Sequence, residues 1–185
     1  LEIKIFEELL LDTISSSEKL KKLFEFLAEL DVFCANAYLA RTNDWVRPKI
    51  VDSPDFIIKG GRHPVVEASL ETSGIRDFVP NDCDISMETS FINLVTGPNM
   101  AGKSTFLRQN ALIGILSHIG FFVPANEAII GNISKIFCRM GASDNLAKGE
   151  STFMVEMRET ATILKNADCK TLVILDEVGR GTSTY

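Results

Sequence analysis

The sequence predicts an α/β protein with a mixed, largely parallel sheet and flanking helices, preceded by an α-helical segment. Two patterns support this fold class. In the later part of the 185-residue chain, short apolar runs typical of buried strands alternate with longer segments of helical periodicity. Such alternation is typical of parallel strands joined by helical crossovers. Residues 1 to about 42 show helical periodicity alone.

The N-terminal segment is expected to be a helical hairpin or the end of a longer helical arm. In residues 20–37, apolar side chains recur at spacings of three and four, which predicts a helix whose apolar seam packs on a partner helix. Ser15 and Glu18 fit a capping box at the start of that helix. We therefore expect a helical region at 1–45 and a second domain at 46–185.

The second domain is expected to contain several short strands and two helices. Glycine and proline residues separate the predicted strands from one another. The strands are expected at residues 56–58, 64–66, 77–79, 91–95, 133–137 and 172–175, and the helices at residues 103–119 and 152–166.

Composition narrows the class of protein. The net charge of −6 argues against binding of a nucleic-acid backbone by this segment itself, because such binding usually needs a basic face. The four cysteines occur singly, which favours free thiols over a zinc site or a disulfide framework. No apolar run approaches the roughly 20 residues of a membrane span. We expect an intracellular fragment of a longer protein, cytoplasmic if bacterial and nuclear or organellar if eukaryotic, without a membrane partner.

Residues 97–104 match the phosphate-loop pattern G-x-x-x-x-G-K-[ST], and they lie between a predicted strand and a predicted helix. Gly97 and Gly102 permit backbone angles that let successive N–H groups converge on phosphate oxygens. Lys103 is expected to reach the β- and γ-phosphates, and Ser104 to place its hydroxyl on Mg²⁺. The pattern therefore predicts a site for ATP and Mg²⁺.

Asp176 and Glu177 directly follow the apolar run at 172–175. The carboxyl edge of a parallel sheet is where ligands bind in open α/β folds. Asp176 is expected to hold Mg²⁺, directly or through water, and Glu177 to orient or deprotonate the water that attacks the γ-phosphate. The alternative is a strand that ends in two solvated acids.

Several segments together resemble the MutS family of DNA mismatch-repair ATPases. The resemblance extends from about residue 25 to the end of the chain. It is carried by residues 96–105, 149–157 and 176–184, with support from 62–67 and 28–32. It implies a P-loop NTPase fold of the ABC type and a dimer with composite ATP sites. Residues 1–45 would be the end of the lever region, and 46–185 an ATPase domain truncated at its C-terminus.

The resemblance also implies roles for individual residues. Phe78 would stack on adenine beside Val79. Ser151 would complete the site of the partner subunit, or else serve only as an ordinary helix cap. Lys103 and Glu177 would be catalytic. The nucleotide-binding loop would comprise Gly97, Pro98, Asn99, Met100, Ala101, Gly102, Lys103, Ser104 and Thr105, with Ser104 and Asp176 as metal ligands.

The implied function is ATP binding and hydrolysis in a protein that recognises mispaired DNA and couples ATP to repair signalling. Implied partners are mismatched double-stranded DNA, held by parts outside this chain, a MutS-family subunit in a homo- or heterodimer, and a MutL-type repair protein. For the isolated chain we expect weak binding and little hydrolysis. Two alternatives remain: a nucleotide-binding module without turnover, and an ABC-type protein of chromosome maintenance or transport. The second is disfavoured because residues 151–154 read Ser-Thr-Phe-Met, not the Leu-Ser-Gly-Gly type.

Overall fold

A computed structural model of the chain describes residues 1–74, 77–86, 88–140, 152–177 and 179. The chain divides into two compact units, Leu1–Thr42 and Asn43–Tyr185. Within the described residues, no helix combines the length and apolar character needed to cross a membrane.

The first unit consists of helices α1 (Glu2–Ser15) and α2 (Ser17–Thr42). Helix α2 contains the predicted helix at 20–37. The predicted capping box is wrong, because Ser15 is the last residue of α1 and its hydroxyl donates to the carbonyl of Asp12 at 2.7 Å. An N-cap needs a non-helical backbone, which Ser15 does not have. The leucines of the predicted seam are 36% to 50% exposed, namely Leu20, Leu23, Leu27 and Leu30.

The second unit contains a four-stranded sheet in the order β1-β4-β2-β3. Strand β1 pairs with β4 in parallel, whereas β2 pairs antiparallel with both β4 and β3. The expectation of a largely parallel sheet is therefore wrong for these strands, because β2 runs opposite to both of its neighbours. The strands are β1 (Lys49–Val51), β2 (Phe56–Gly61), β3 (Asn81–Ile85) and β4 (Glu127–Gly131).

A second, two-stranded sheet is parallel and pairs β5 (Lys135–Arg139) with β6 (Thr171–Leu175). Helices α4 (Lys103–His118) and α5 (Thr152–Asn166) agree with the two predicted helices. A Cβ placed on Gly114 of α4 would lie 3.5 to 3.6 Å from side chains of β2, β5 and β6. Helix α4 therefore packs against both sheets, and the apolar core includes the fully buried Ile58, Ile113, Val123 and Ile130.

Three predicted strands are not formed. Residues 64–66 begin α3 (Pro64–Ser73), where Pro64 suits the first helical turn and the His63 side chain accepts a hydrogen bond from the Val66 N–H at 3.4 Å. Residues 77–79 precede β3 without belonging to a strand. Residues 91–95 are not strand either, and Ile92 and Leu94 are 82% and 87% exposed. Apolar composition alone does not supply the neighbouring strand that pairing requires.

Candidate functional site

The loop at 97–102 leads directly into α4. Gly102 takes a left-handed backbone with φ of 92°, which supports the sequence argument for glycine there. Met100 also has positive φ, at 64°, and is fully exposed. Ala101 is not among the residues with positive φ, so its backbone does not require glycine.

The start of α4 carries free hydrogen-bonding capacity. Gly102 is the N-cap, and among the described residues no side chain caps this end of the helix. The first N–H groups of a helix lack partners within the helix, and the helix dipole adds positive charge at this end. The arrangement favours an anion in front of Lys103 and Ser104.

Lys103 is folded back onto the loop that precedes it. Its Nζ donates to the carbonyls of Gly97 and Pro98, both at 2.8 Å. The ammonium group therefore lies over the loop. Its present acceptors are two carbonyl oxygens, and phosphate oxygens can serve as acceptors in their place.

Ser104 and Asp176 are brought together although 72 positions separate them. The Ser104 hydroxyl donates to Asp176 Oδ2 at 2.6 Å, and Asp176 is only 9% exposed at the end of β6. Mg²⁺ prefers oxygen ligands and is usually held by one or two protein groups together with phosphate and water. One hydroxyl and one carboxylate at contact distance fit that requirement.

Glu177 lies one residue further along and is exposed. Its φ of 56° is left-handed, a conformation that non-glycine residues rarely adopt and that surrounding contacts must hold in place. The two adjacent acids therefore have different environments. Asp176 is buried against Ser104, and Glu177 is exposed to solvent.

A cavity of about 910 Å³ joins the phosphate loop to the segment ahead of β3. Phe78 is half-buried and Val79 exposed, and both line it. The predicted loop residues Met100, Ala101, Gly102, Lys103 and Thr105 line it too, whereas Gly97, Pro98, Asn99 and Ser104 are not in its lining. The structure thus brings the predicted aromatic residue and most of the loop around one space.

The remaining predicted site residue, Ser151, lies outside the described residues. His63 caps α3, and burial lowers the pKa of its imidazole. In the second histidine, His118, Nδ1 lies 2.9 Å from the Gly114 carbonyl and Nε2 accepts from the Ile133 N–H at 2.9 Å. Both histidines are thus engaged with backbone groups.

A buried charge network beside the site was missed by sequence reasoning. Arg139 ends β5 and lies 3.4 Å from a carboxylate oxygen of Glu156 on α5. The other carboxylate oxygen of Glu156 accepts from the N–H of Gly179. The sequence did contain one indication of this network. Glu156 lies seven residues before the buried Ile163, and this spacing places it on the inner face of a predicted helix.

A glycine-containing loop that leads into an uncapped helix start, as residues 97–103 do in the described part of the chain, is typical of proteins that bind phosphate groups. Comparison with known proteins gives the family. The family described as MutS domain V matches residues 93–185. The chain belongs to the MutS family.

Individual relatives agree with the family match. The DNA mismatch repair protein MutS of Dinoroseobacter shibae is 59% identical over the whole chain, which covers 21% of that protein. The protein of the same name from Borrelia hermsii is 54% identical, again over the whole chain and 21% of the relative. That of Ruegeria pomeroyi is 61% identical over 86% of the chain and 18% of the relative. The chain thus spans about a fifth of the length of these relatives.

Proposed function

We propose that this chain carries the ATP-binding site of a DNA mismatch-repair ATPase, built on a P-loop fold of the ABC type. The contact between Ser104 and Asp176 is the observation that carries this proposal. It joins the end of the phosphate loop to the strand-ending carboxylate at 2.6 Å, across 72 positions of sequence. That pair of oxygens lies where the start of α4 favours an anion.

The residues of the loop have distinct roles in this proposal. The free N–H groups at the start of α4 bind phosphate oxygens. Lys103 leaves the carbonyls of Gly97 and Pro98 and binds the β- and γ-phosphates. Ser104 and Asp176 hold Mg²⁺, which when bound offsets the negative charge of the phosphates. Glu177 orients the attacking water and takes its proton.

Recognition of the base is assigned to the far end of the cavity. Phe78 stacks on adenine there, with Val79 beside it. The aromatic ring is half-buried and lies on the same cavity as Lys103. A volume of about 910 Å³ is within the usual range for small-molecule sites.

The partners follow from family membership. We assign residues 1–45 to the end of a lever region and 46–185 to the ATPase domain. A second MutS-family subunit supplies its residue equivalent to Ser151 to this site, in a homo- or heterodimer. Mismatched DNA and a MutL-type protein bind elsewhere on the molecule, in keeping with the net charge of −6 here. For the isolated chain we expect weak binding and little hydrolysis.

The test is equilibrium binding of a fluorescent ATP analogue with Mg²⁺ to the wild type, Lys103→Ala and Lys59→Ala. Loss of the lysine that meets the phosphates should weaken binding by about 30- to 100-fold, the equivalent of about 2 to 3 kcal/mol for a charged hydrogen-bonding group. Lys59 is the matched control, because its ammonium pairs with Glu127 on the surface of the four-stranded sheet.

The outcomes separate the alternatives. Equal binding by Lys103→Ala and wild type, with both folded by circular dichroism, would refute the site. Binding without ATP hydrolysis, measured in the protein at the full length of its relatives, would favour a nucleotide-binding module that does not turn over.

A further inference from the structure

We propose that Arg139 and Glu156 are positioning residues for ATP hydrolysis, which hold the backbone beyond the carboxylate pair so that Glu177 faces the attacking water. This inference rests on the proposed function. The two residues form a buried ion pair that takes no part in the proposed binding of nucleotide or Mg²⁺.

The backbone around the two acids is held on both sides by Arg139. On one side, the Arg139 carbonyl accepts a hydrogen bond from the Asp176 N–H at 2.8 Å. On the other side, the Arg139 guanidinium lies 3.4 Å from Glu156, whose carboxylate accepts from the Gly179 N–H. Glu177 lies between these two points of attachment.

The conformation of Glu177 needs such support. Its φ is 56°, and Gly179 has φ of 90°. A non-glycine residue keeps a left-handed backbone only where surrounding contacts over-determine it. The hydrogen bond from Gly179 to Glu156 is one of these contacts, and losing it weakens one side of the attachment.

Stability alone is a poor explanation for this pair. The side chains of Arg139 and Glu156 are only 7% and 3% exposed, and Arg139 Nη1 has no hydrogen-bond partner among the described residues. Removing two charges from water is costly, and apolar replacements of buried ion pairs are often equally or more stable. The Glu156 carboxylate connects Arg139, at the end of β5, to the backbone N–H of Gly179. A positioning role for this carboxylate explains why the costly ion pair is buried.

The chain offers a matched control. Glu159 also lies 3.4 Å from Arg139, but its side chain is 53% exposed. Glu156→Gln and Glu159→Gln therefore remove the same charge from the same arginine. Arg139 and Gly179 contact different carboxylate oxygens of Glu156, and a glutamine at 156 has a single acceptor oxygen, so one of the two contacts is lost. Glu156 also accepts the hydrogen bond from the Gly179 N–H, whereas Glu159 is an exposed ion-pair partner.

The experiment uses the protein at the full length of its MutS relatives and measures steady-state ATPase kinetics. Glu156→Gln should lower kcat by about tenfold or more, since small displacements of a catalytic group cost up to about 100-fold. Its KM for ATP should stay within about twofold, because the phosphate loop is unchanged. Glu159→Gln should keep both constants within about twofold, as an exposed ion pair contributes little.

Two further measurements exclude a merely structural role. Hydrogen–deuterium exchange without nucleotide should accelerate in a peptide containing Gly179 for Glu156→Gln and stay unchanged for Glu159→Gln. The double variant Arg139→Met with Glu156→Met should keep the thermal midpoint of the wild type while keeping the low kcat.

The contrary outcomes are distinct. Unchanged kcat in Glu156→Gln, or activity restored by the double methionine variant together with its stability, would overturn this inference alone. A wild type without ATPase activity would refute the proposed function and this inference with it.

Discussion

The buried contact between Ser104 and Asp176 predicts a measurable coupling in stability. The Asp176 carboxylate is 9% exposed and accepts the Ser104 hydroxyl at 2.6 Å. A hydrogen bond to a charged group contributes about 1.5 to 3 kcal/mol, and a buried acceptor left without its partner costs a similar amount. Ser104→Ala should therefore lower the free energy of unfolding by about 2 kcal/mol in the absence of nucleotide.

The assay is urea unfolding of wild type, Ser104→Ala, Asp176→Asn and the double variant. The double variant should lose less than the sum of the single losses, with a coupling of about 1 to 2 kcal/mol. Ser117→Ala is the control in the same helix, because that hydroxyl donates to the neutral Ile113 carbonyl at 2.7 Å. It should cost less than about 1 kcal/mol. Additive losses, or equal losses at Ser104 and Ser117, would refute the reasoning.

Two further predictions concern titration. Burial raises the pKa of the Cys83 thiol to about 11, so iodoacetamide at pH 8 should alkylate the exposed Cys34 and Cys169 well before Cys83, as read by peptide mass spectrometry. A hydrogen bond from Lys135 is the main cause that lowers the pKa of the Asp168 carboxyl to about 2. The folded state thus favours ionised Asp168, and this stabilisation is present above about pH 4 and lost as pH falls through about 2. The urea midpoint of Asp168→Asn should lie below that of the wild type at pH 7 and converge with it near pH 2.

Local sequence predicted the elements with strong periodicity. Helices α4 and α5 were expected within one residue of their observed ends, because helical periodicity depends on residues three and four positions apart. The segment at 64–66 was misassigned, since two adjacent valines resemble a strand. The proline and the capping histidine beside them outweigh that preference.

The candidate site was predicted in part. The phosphate-loop pattern indicated Lys103 and Ser104, and the end of an apolar run indicated Asp176. Arg139 was missed, because a single charged residue at a strand end carries no local signal of burial. Its partner Glu156 is 17 positions away in sequence (156 − 139), and only the folded chain brings the two side chains together.

By itself, the sequence determined the α/β class, helices α2, α4 and α5, the phosphate-loop pattern, the carboxylate pair and the resemblance to the MutS family. These depend on residue type and short spacings, which persist whatever the chain packs against. Only the tertiary structure decided the order β1-β4-β2-β3, the unpaired state of residues 91–95 and the attachment of Gly179 to Glu156. Each of these is a choice among distant partners, and burial and hydrogen bonding make that choice once the whole chain has packed.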